Sequence, residues 1–218
     1  MPDLPLEAIY FRDWKNSHIP EILEEIYIKK IYDQYLLGKK NQIIVDIGAN
    51  IGLSAYYFKD FAKQVYAIEP TKAHLEALSK MLKTNNITNV TVCPVAISNK
   101  NETVKLYHNE NSTANNLNVT QNPQDSEDVE AITFDEFMKR KKLDHIDLLK
   151  LDCEGTEGKL VASDEFVKWA PKIDLIVGEH HYWDSMEVPL FTTALKDLGY
   201  DVTWLPGLKA QVFSAIRI

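Results

Sequence analysis

Short apolar runs recur along the chain and alternate with stretches in which hydrophobic residues return every three to four positions. The runs have the length of strands, and the first three are apolar almost throughout, as expected of parallel strands covered by helices on both faces. The predicted strands are residues 43–47, 65–68, 90–95, 146–151 and 173–177, with extended segments at 103–107, 202–205 and 211–216. The predicted helices are residues 53–61, 72–84, 134–140, 156–169 and 189–198. This alternation predicts an α/β fold with a doubly wound, mostly parallel sheet and a C-terminal antiparallel hairpin at its edge.

The N-terminal part of the chain has a helical pattern of its own. Residues 20–37 place hydrophobic side chains at helical spacing, with Pro20 suited to the first turn and Gly38 to the C-terminal stop. We therefore expect one helix here, ahead of the alternating pattern. The predicted organisation is a helical extension, residues 1–40, packed on a core domain of residues 41–218.

One region interrupts the alternating pattern. Residues 108–130 contain six Asn, a Pro and several acids, but hardly any large apolar side chains. We predict a mobile loop, because long structureless segments in compact domains are either surface insertions or lids over a substrate. The helix that follows begins at Thr133, where the sequence TFDE has the form of a capping box.

Composition narrows the class of protein and of partner. The 218 residues are 45% hydrophobic and 26% charged, which fits one globular domain. The formal net charge of -8 leaves no basic stripe for a nucleic acid, so that partner is disfavoured. Cys93 and Cys153 lie far apart in apolar runs, which favours buried thiols and a reducing compartment. With neither a secretory signal nor an apolar run of about 20 residues, we expect a soluble, cytoplasmic protein without stable membrane insertion.

A glycine-rich turn, residues 46–52 with the sequence DIGANIG, joins the first strand to the first helix. Glycines allow a tight turn and the close approach of a ligand, although an ordinary strand-to-helix turn has the same appearance. The spacing G-x-x-x-G lacks the middle glycine of a dinucleotide site. An acid before the turn favours a cation, such as the amino group and sulfonium of S-adenosylmethionine. The candidate cofactor-binding residues of this turn are Asp46, Gly48, Ala49, Asn50 and Gly52.

Two further strand ends offer cofactor contacts. Glu69 ends the second strand, where a carboxylate can accept hydrogen bonds from both ribose hydroxyls of a nucleoside. It is also suited to capping the helix that follows. After the third strand, backbone groups and the small side chain of Ala96 are placed to border an adenine ring.

Acids are concentrated at the tip of the fourth strand, close to where the fifth strand ends in histidines. Each buried carboxylate costs desolvation energy unless it is paired, hydrogen-bonded or functional. Methyl transfer to oxygen needs in-line alignment and usually a base, for which His181 and Asp152 are candidates. Asp152 is equally suited to holding the methionine amino group, and Glu154 to binding acceptor hydroxyls. Glu157 is equally suited to a role in the helix that follows, and His180 to a structural role.

The same strand ends leave two other interpretations open. Asp152, Glu179 and a histidine are suitable ligand types for a divalent metal, but their spacing is not that of a known metal motif, so no metal is assigned. Tyr182 and Trp183 are suited either to stacking on a sugar or polyketide acceptor or to packing at the edge of the core.

These motifs together resemble the FkbM family of S-adenosylmethionine-dependent methyltransferases. Residues 45–52 are similar to its first motif, and residues 65–70 to the strand that carries its ribose-binding acid. Residues 146–157, an apolar strand ending in K-x-D-x-E-G-x-E, resemble its most specific signature, and residues 177–181 resemble its E-x-H on the fifth strand. The resemblance covers about residues 43–181.

The resemblance implies a Rossmann-like class I methyltransferase fold with a seven-stranded sheet and S-adenosylmethionine as cofactor. It implies O-methylation of a sugar, glycan or polyketide-like small molecule, with Asp152, Glu154 and His181 beside the transferred methyl group. A methyltransferase for nucleic acid or protein, a dehydrogenase and a non-catalytic binding module remain alternatives. The first is disfavoured because the fourth strand is followed by DCEG instead of a proline-rich, aromatic-ended tetrapeptide.

Overall fold

A seven-stranded, mostly parallel sheet organises the part of the chain that the computed structural model describes, residues 19–108, 125–181, 186–206 and 211–218. Its strands are β1 Gln42–Ile47, β2 Ala62–Ile68, β3 Val90–Cys93, β7 Leu148–Leu151, β8 Leu175–His180, β9 Tyr200–Trp204 and β10 Gln211–Arg217. They lie in the order β3-β2-β1-β7-β8-β10-β9, and β10 alone runs in the direction opposite to the other strands. The predicted doubly wound sheet with a C-terminal hairpin is confirmed.

Helices cover both faces of this sheet. They are α1 Ile19–Leu23, α2 Asp33–Leu36, α3 Leu53–Phe58, α4 Lys72–Thr84, α5 Phe134–Lys141, α6 Glu157–Val161, α7 Asp164–Trp169 and α8 Val188–Asp197. Successive residues of β1 point to opposite faces, so Ile44 packs with the helices α1 to α4 and Val45 with the helices α5 to α8. This double coverage explains why the strands are apolar almost throughout. Within the described ranges, no helix is long and apolar enough to cross a membrane.

The strand register brings the ends of the central strands level with one another. In the β1–β2 pair Ile47 faces Ile68, and in the β1–β7 pair Asp46 faces Lys150 and Ile47 faces Leu151. The residues that follow these strands therefore meet at one edge of the sheet. Ligands of open parallel sheets bind at such an edge, beyond the carboxyl ends of the strands.

A second, three-stranded sheet corrects the predicted loop at residues 108–130. It consists of β4 Ala96–Ile97, β5 Glu102–His108 and β6 Asp125–Ile132, with β6 in the middle. Residue 108 and residues 125–130 are thus strand instead of loop, and residues 109–124 lie outside the described part. The sequence of β6 did not reveal its alternation of buried and exposed residues, because acids occupy much of the strand. Its buried face carries only small or branched residues such as Val129 and Ala131.

The N-terminal segment is not the single helix predicted for residues 20–37. Helix α1 continues as a π-helical turn, Glu24–Ile28, and the chain then bends at Lys30, whose φ is +55°, before α2 begins. Ile26 and Tyr27 are buried against the main sheet, and the Tyr27 hydroxyl donates to the carbonyl oxygen of Leu53 at 2.8 Å. The segment is therefore fixed to the core by side chains from each of its turns.

The helix predicted at residues 156–169 is also two helices, α6 and α7. Ser163 lies between them, and its hydroxyl accepts a hydrogen bond from the N–H of Phe166 at 3.2 Å. This is the N-cap of a new helix, so the first helix ends before it. By contrast, α4 has the predicted bounds.

Candidate active site

A cavity opens at the sheet edge where β1, β2 and β7 end. It encloses about 600 Å³ including its open mouth. It is lined by five of the residues predicted to bind the cofactor, namely Gly48, Asn50, Glu69, Ala96 and Asp152, and by the predicted catalytic residue Glu154. We call it the first cavity.

The glycine-rich turn lies at the centre of this edge, under tight steric limits. Gly48 has a φ of +77°, and a Cβ built there would lie 1.7 Å from the carbonyl oxygen of Asp152. Gly52 has a φ of +93°, and its Cβ would lie 2.3 Å from a methyl carbon of Leu78. Gly48 therefore lets the turn pass directly beside the tip of β7, and Gly52 lets α3 pack on α4. Gly52 does not line the first cavity.

Asp46 does not face the cavity, which corrects its expected orientation towards the cofactor's positive charge. Its side chain is completely buried, with Oδ2 accepting from the Ser54 hydroxyl at 2.6 Å and Oδ1 lying 3.2 Å from Lys150 Nζ. Lys150 also lies 3.2 Å from Asp152 Oδ2 and donates to the carbonyl oxygen of Gly48 at 3.1 Å. Burial disfavours the charge of Lys150, but Asp46 and Asp152 outweigh it and raise its pKa. Asp46 thus fixes the turn from below, through Lys150.

Glu69 is held at the tip of β2 with its carboxylate at the cavity. Oε2 accepts from the N–H of Asn50 at 3.0 Å, and Oε1 accepts from the N–H of Thr71 at 2.8 Å. His74 Nδ1 lies 3.1 Å from Oε1. Burial opposes ionisation, but the contacts with His74 and Thr71 outweigh it and lower the pKa of Glu69. Glu69 is therefore an ionised acceptor that also ties the glycine-rich turn to α4.

The predicted residues differ in how they reach the cavity. Ala96, on β4, lines it beside Val95 and Ile97, as expected for the border of a planar ring. Ala49 is buried and lines a different cavity, described below. Cys93 and Cys153 are free thiols, and burial raises the pKa of each.

An imidazole surrounded by carboxylates lies beyond the tips of β7 and β8. His181 Nε2 lies 3.4 Å from Glu154 Oε2, 3.6 Å from Glu179 Oε1 and 3.8 Å from Asp152 Oδ1. Its Nδ1 lies 2.9 Å from Glu157 Oε1. The three predicted catalytic residues Asp152, Glu154 and His181 are therefore brought together.

Glu157 is the residue that holds this cluster in shape. It is completely buried and accepts hydrogen bonds from the N–H of Cys153 at 2.8 Å and the N–H of Gly155 at 3.1 Å. Glu154 lies between these residues with a φ of +55°. Glu157 thus fixes both the turn after β7 and the ring of His181.

The cluster contains more negative than positive charge, which changes its protonation. Burial opposes the charge of His181, but the bond to Glu157 and the charge of Asp152 outweigh it and raise its pKa to about 10. Burial, and then the charge of Asp152, raise the pKa of Glu154 to about 8 and of Glu179 to about 7. His181 is therefore an imidazolium near neutral pH, whereas the two glutamates exchange protons there. This favours a carboxylate over His181 as the base.

The cluster has a metal-binding composition as well. Asp152, Glu157 and His181 offer potential ligand atoms within 4.8 Å of one another, a different set from the one considered from the sequence. His180 packs its ring against Phe191, with centroids 4.5 Å apart, which supports the structural alternative for that residue. Tyr182 and Trp183 lie outside the described residues.

A second cavity of about 660 Å³ lies on the other side of the glycine-rich turn. The N-terminal segment forms one wall, and the ends of β7 and β8 form another. It shares Gly48, Asn50 and Asp152 with the first cavity. Its other lining residues are Ile22, Glu25, Ile26, Ile31, Tyr32, Ala49, Ile51, Leu53, Ser54, Lys150, Gly178, Glu179 and Val212.

Sequence reasoning did not identify His74, Lys150 or Glu25 as parts of the site. The position of His74 could have been predicted from the sequence, because a histidine in the first turn of a helix lies within reach of an acid at the end of the preceding strand. Lys150 belongs to the K-x-D-x-E-G-x-E motif, but its partner Asp46 follows only from the pairing of β1 with β7. Glu25 had no signal, since its place depends on how the N-terminal segment folds back.

Comparisons with known proteins point to one class of enzyme. A family model described as the methyltransferase FkbM domain matches residues 46–202. Methyltransferase sdnD of Sordaria araneosa is 26% identical over 224 residues, which cover 85% of this chain and 85% of that protein.

Solved structures share the fold at low sequence identity. SMU.1697c from Streptococcus mutans, solved in complex with SAH, has a TM-score of 0.53 at 13% identity, covering 88% of this chain and 97% of its own. Precorrin-6y C5,15-methyltransferase from Geobacter metallireducens has a TM-score of 0.50 at 12% identity, covering 87% of each chain. The class I methyltransferase fold is therefore confirmed.

Proposed function

The chain belongs to the FkbM methyltransferase family, and from this premise we propose that it methylates a hydroxyl oxygen of a sugar, glycan or polyketide-like small molecule. It is an S-adenosylmethionine-dependent methyltransferase. S-adenosylmethionine supplies an electrophilic methyl group on a positively charged sulfur. The proposal concerns the acceptor atom and the roles of the site residues.

The first cavity fits the methyl donor. Glu69 provides an ionised acceptor for ribose hydroxyls, and the apolar side chains around Ala96 border the adenine. Gly48 and Asn50 bring backbone groups close to the ligand. Asp46, Ala49 and Gly52 support these contacts by shaping the turn from outside the cavity.

The charge of the site fits a positive donor beside a hydroxyl acceptor. Asp152 is shared by both cavities, so its carboxylate lies where a sulfonium would need a negative neighbour. Glu154 has 21% of its side chain exposed, and burial together with the charge of Asp152 raises its pKa to about 8. Such a group accepts the hydroxyl proton in its ionised form, and a general base is most effective when its pKa lies close to the working pH. His181, held by Glu157, orients the carboxylates and offsets part of their charge.

The proposal rests on one observation: Glu69 and Glu154 line the same cavity, on either side of the turn at Gly48. One acid is fixed in its ionised form by hydrogen bonds, and the other is left with a raised pKa. This division supports one role in binding and another in proton transfer.

The first test is calorimetric titration of the protein with S-adenosylhomocysteine, with NAD in a parallel titration. We expect binding in the micromolar range for the former and none for the latter. Labelled S-adenosylmethionine is then incubated with sugar and polyketide acceptors, and the product is analysed for a methyl ether. Methylation on nitrogen, or of RNA instead of these acceptors, would contradict the proposal.

A pair of variants tests the assignment of the base. Glu154→Gln should lower turnover about 100-fold, the order of effect of a general base, because an amide cannot accept the proton. Glu102→Gln, at an exposed position of β5, is the matched control and should keep full turnover. Full turnover by Glu154→Gln would remove Glu154 from the catalytic role.

A further inference from the structure

We propose that the second cavity is the acceptor site, that it takes an uncharged polyhydroxylated molecule with an apolar face, and that Glu25 excludes anionic acceptors. This inference rests on the proposed function, since it assigns the acceptor of the same reaction. It adds a binding site and a specificity-determining residue on a segment outside the glycine-rich turn and the strand tips.

The position of the second cavity matches the geometry of the reaction. A methyl group is transferred in line, so the donor and the acceptor must meet at one point. The two cavities have three lining residues in common, Gly48, Asn50 and Asp152, at the tips of β1 and β7. A molecule in the second cavity therefore reaches the donor at Asp152. Glu154 lines the first cavity only, so it would meet the acceptor hydroxyl at this junction, from the donor side.

The walls of the second cavity determine the chemistry of its ligand. The N-terminal segment contributes Ile22, Ile26 and Ile31, which give an apolar wall, and Val212 adds to it from β10. The polar side carries the acids Glu25, Asp152 and Glu179. Acids bind hydroxyl groups as acceptors and repel anions. The arrangement suits a ring with hydroxyls on one side and carbon on the other.

Basic groups offset the charge of these acids only in part. Lys150 is the one cationic side chain among the described residues that line it. It already lies 3.2 Å from both Asp46 and Asp152, with 7% of its side chain exposed. The His181 imidazolium also lies against carboxylates, 3.6 Å from Glu179 and 3.8 Å from Asp152. Because both cations are already engaged by acids, a phosphate or carboxylate on the acceptor would meet an excess of negative charge.

Glu25 is presented to the cavity by the π-helical turn Glu24–Ile28. Its neighbours Ile26 and Tyr27 are buried and fix this turn to the core. Burial raises the pKa of Glu25, and the charge of Asp152 does so as well, against the opposing effect of Lys29. Glu25 and Asp152 thus interact electrostatically from opposite walls of the same space.

The two cavities also differ in their relation to the family match. Every residue that lines the first cavity lies within residues 46–202, whereas the second cavity also takes apolar residues from outside that range, namely Ile22, Ile26, Ile31 and Val212. The part of the chain that the family model describes thus contains the complete donor cavity. The acceptor wall comes from the flanking segments, as a specificity element would.

The test uses two closely related molecules, the neutral p-nitrophenyl β-D-glucopyranoside and the anionic p-nitrophenyl β-D-glucuronide. Binding of each to the full chain saturated with S-adenosylhomocysteine is measured by calorimetry. We expect the glucoside to bind at least about ten-fold more tightly, since like charges placed together are strongly unfavourable. Glu25→Gln should reduce that preference, and Glu24→Gln, at an exposed neighbour paired with Lys29, should not.

A third variant separates the two cavities. Ile22→Trp fills the second cavity, and it should abolish glucoside binding while the Kd for S-adenosylhomocysteine stays within about two-fold. Equal binding of the two glycosides, no binding of the glucoside, or an unchanged preference in Glu25→Gln would overturn the proposal. So would loss of S-adenosylhomocysteine binding in Ile22→Trp, because the cavity would then hold the donor. Failure of the native protein to bind S-adenosylhomocysteine would instead reject the proposed function itself.

Discussion

Replacing Lys150 by methionine removes a buried charge and keeps most of the side chain's length. The ammonium lies 3.2 Å from Asp46 and 3.2 Å from Asp152, and donates to the carbonyl oxygen of Gly48. The Asp46 side chain has no exposed surface, and 31% of the Asp152 side chain is exposed. The substitution therefore leaves one carboxylate completely buried without its cation.

The expected loss of stability follows from these distances. Each ion pair at this separation contributes about 5 kcal/mol of attraction at an effective dielectric constant of about 20. Desolvation of the groups offsets much of this attraction in the native protein, but that desolvation remains when one partner is removed. Lys150→Met should therefore lower the free energy of unfolding by about 3 to 5 kcal/mol. Asp46→Asn combined with Lys150→Met should cost about 2 kcal/mol less than the sum of the single changes.

Urea unfolding of the native protein, the two single variants and the double variant measures this coupling. A loss below about 1 kcal/mol, or additive effects in the double variant, would refute the interpretation of Lys150 as the cation that neutralises Asp46.

Two further predictions concern the turn and the acidic cluster. Gly48→Ala should lower the free energy of unfolding by more than the roughly 1 to 2 kcal/mol that a left-handed alanine costs, because its Cβ would overlap the Asp152 carbonyl oxygen. Urea unfolding would show the loss of stability, and titration with S-adenosylhomocysteine would show weaker binding. Native-like values in both measurements would contradict the steric argument. The pKa of Glu179 is about 7 in the folded protein, compared with 4.5 for an ordinary glutamate. Its contribution to the stability of the fold is therefore complete below about pH 4.5 and is lost as the pH rises through 7. As the pH rises from 5 to 8, the free energy of unfolding of Glu179→Gln should therefore increase by about 1 to 2 kcal/mol relative to that of the native protein. This figure is reduced because Glu179 is partly exposed. A difference in the free energy of unfolding that does not change with pH would argue against the raised pKa.

The central sheet was predictable because burial on both faces produces a strong local pattern. Helix α4 has the bounds expected from its spacing, and the strand ends at Gly48, Glu69 and Asp152 follow from the rule that parallel strands present their carboxyl ends at one edge. The cluster of Asp152, Glu154 and His181 was predictable for the same reason. These features depend on sequence that is close by, or on a general property of α/β folds.

The features that sequence reasoning missed depend on contacts between distant residues. Strand β6 buries one narrow face in a small sheet, so its acids outnumber its apolar residues and the segment looks like a loop. The bend at Lys30 and the position of Glu25 depend on how the N-terminal segment packs. The orientation of Asp46 was mispredicted because its partner is 104 residues away, and a lone acid before a glycine turn gives no sign of it.

The pairing of Asp46 with Lys150 has a consequence for how the chain chooses among alternative arrangements. A shift of β7 by one residue along β1 would place Asp46 opposite Leu149 or Leu151, with a buried carboxylate and no cation. A pair of leucines here would tolerate such a slip, whereas an ion pair penalises it. The ion pair therefore disfavours misaligned structures. It keeps the ends of β1 and β7 level, and the site depends on that alignment.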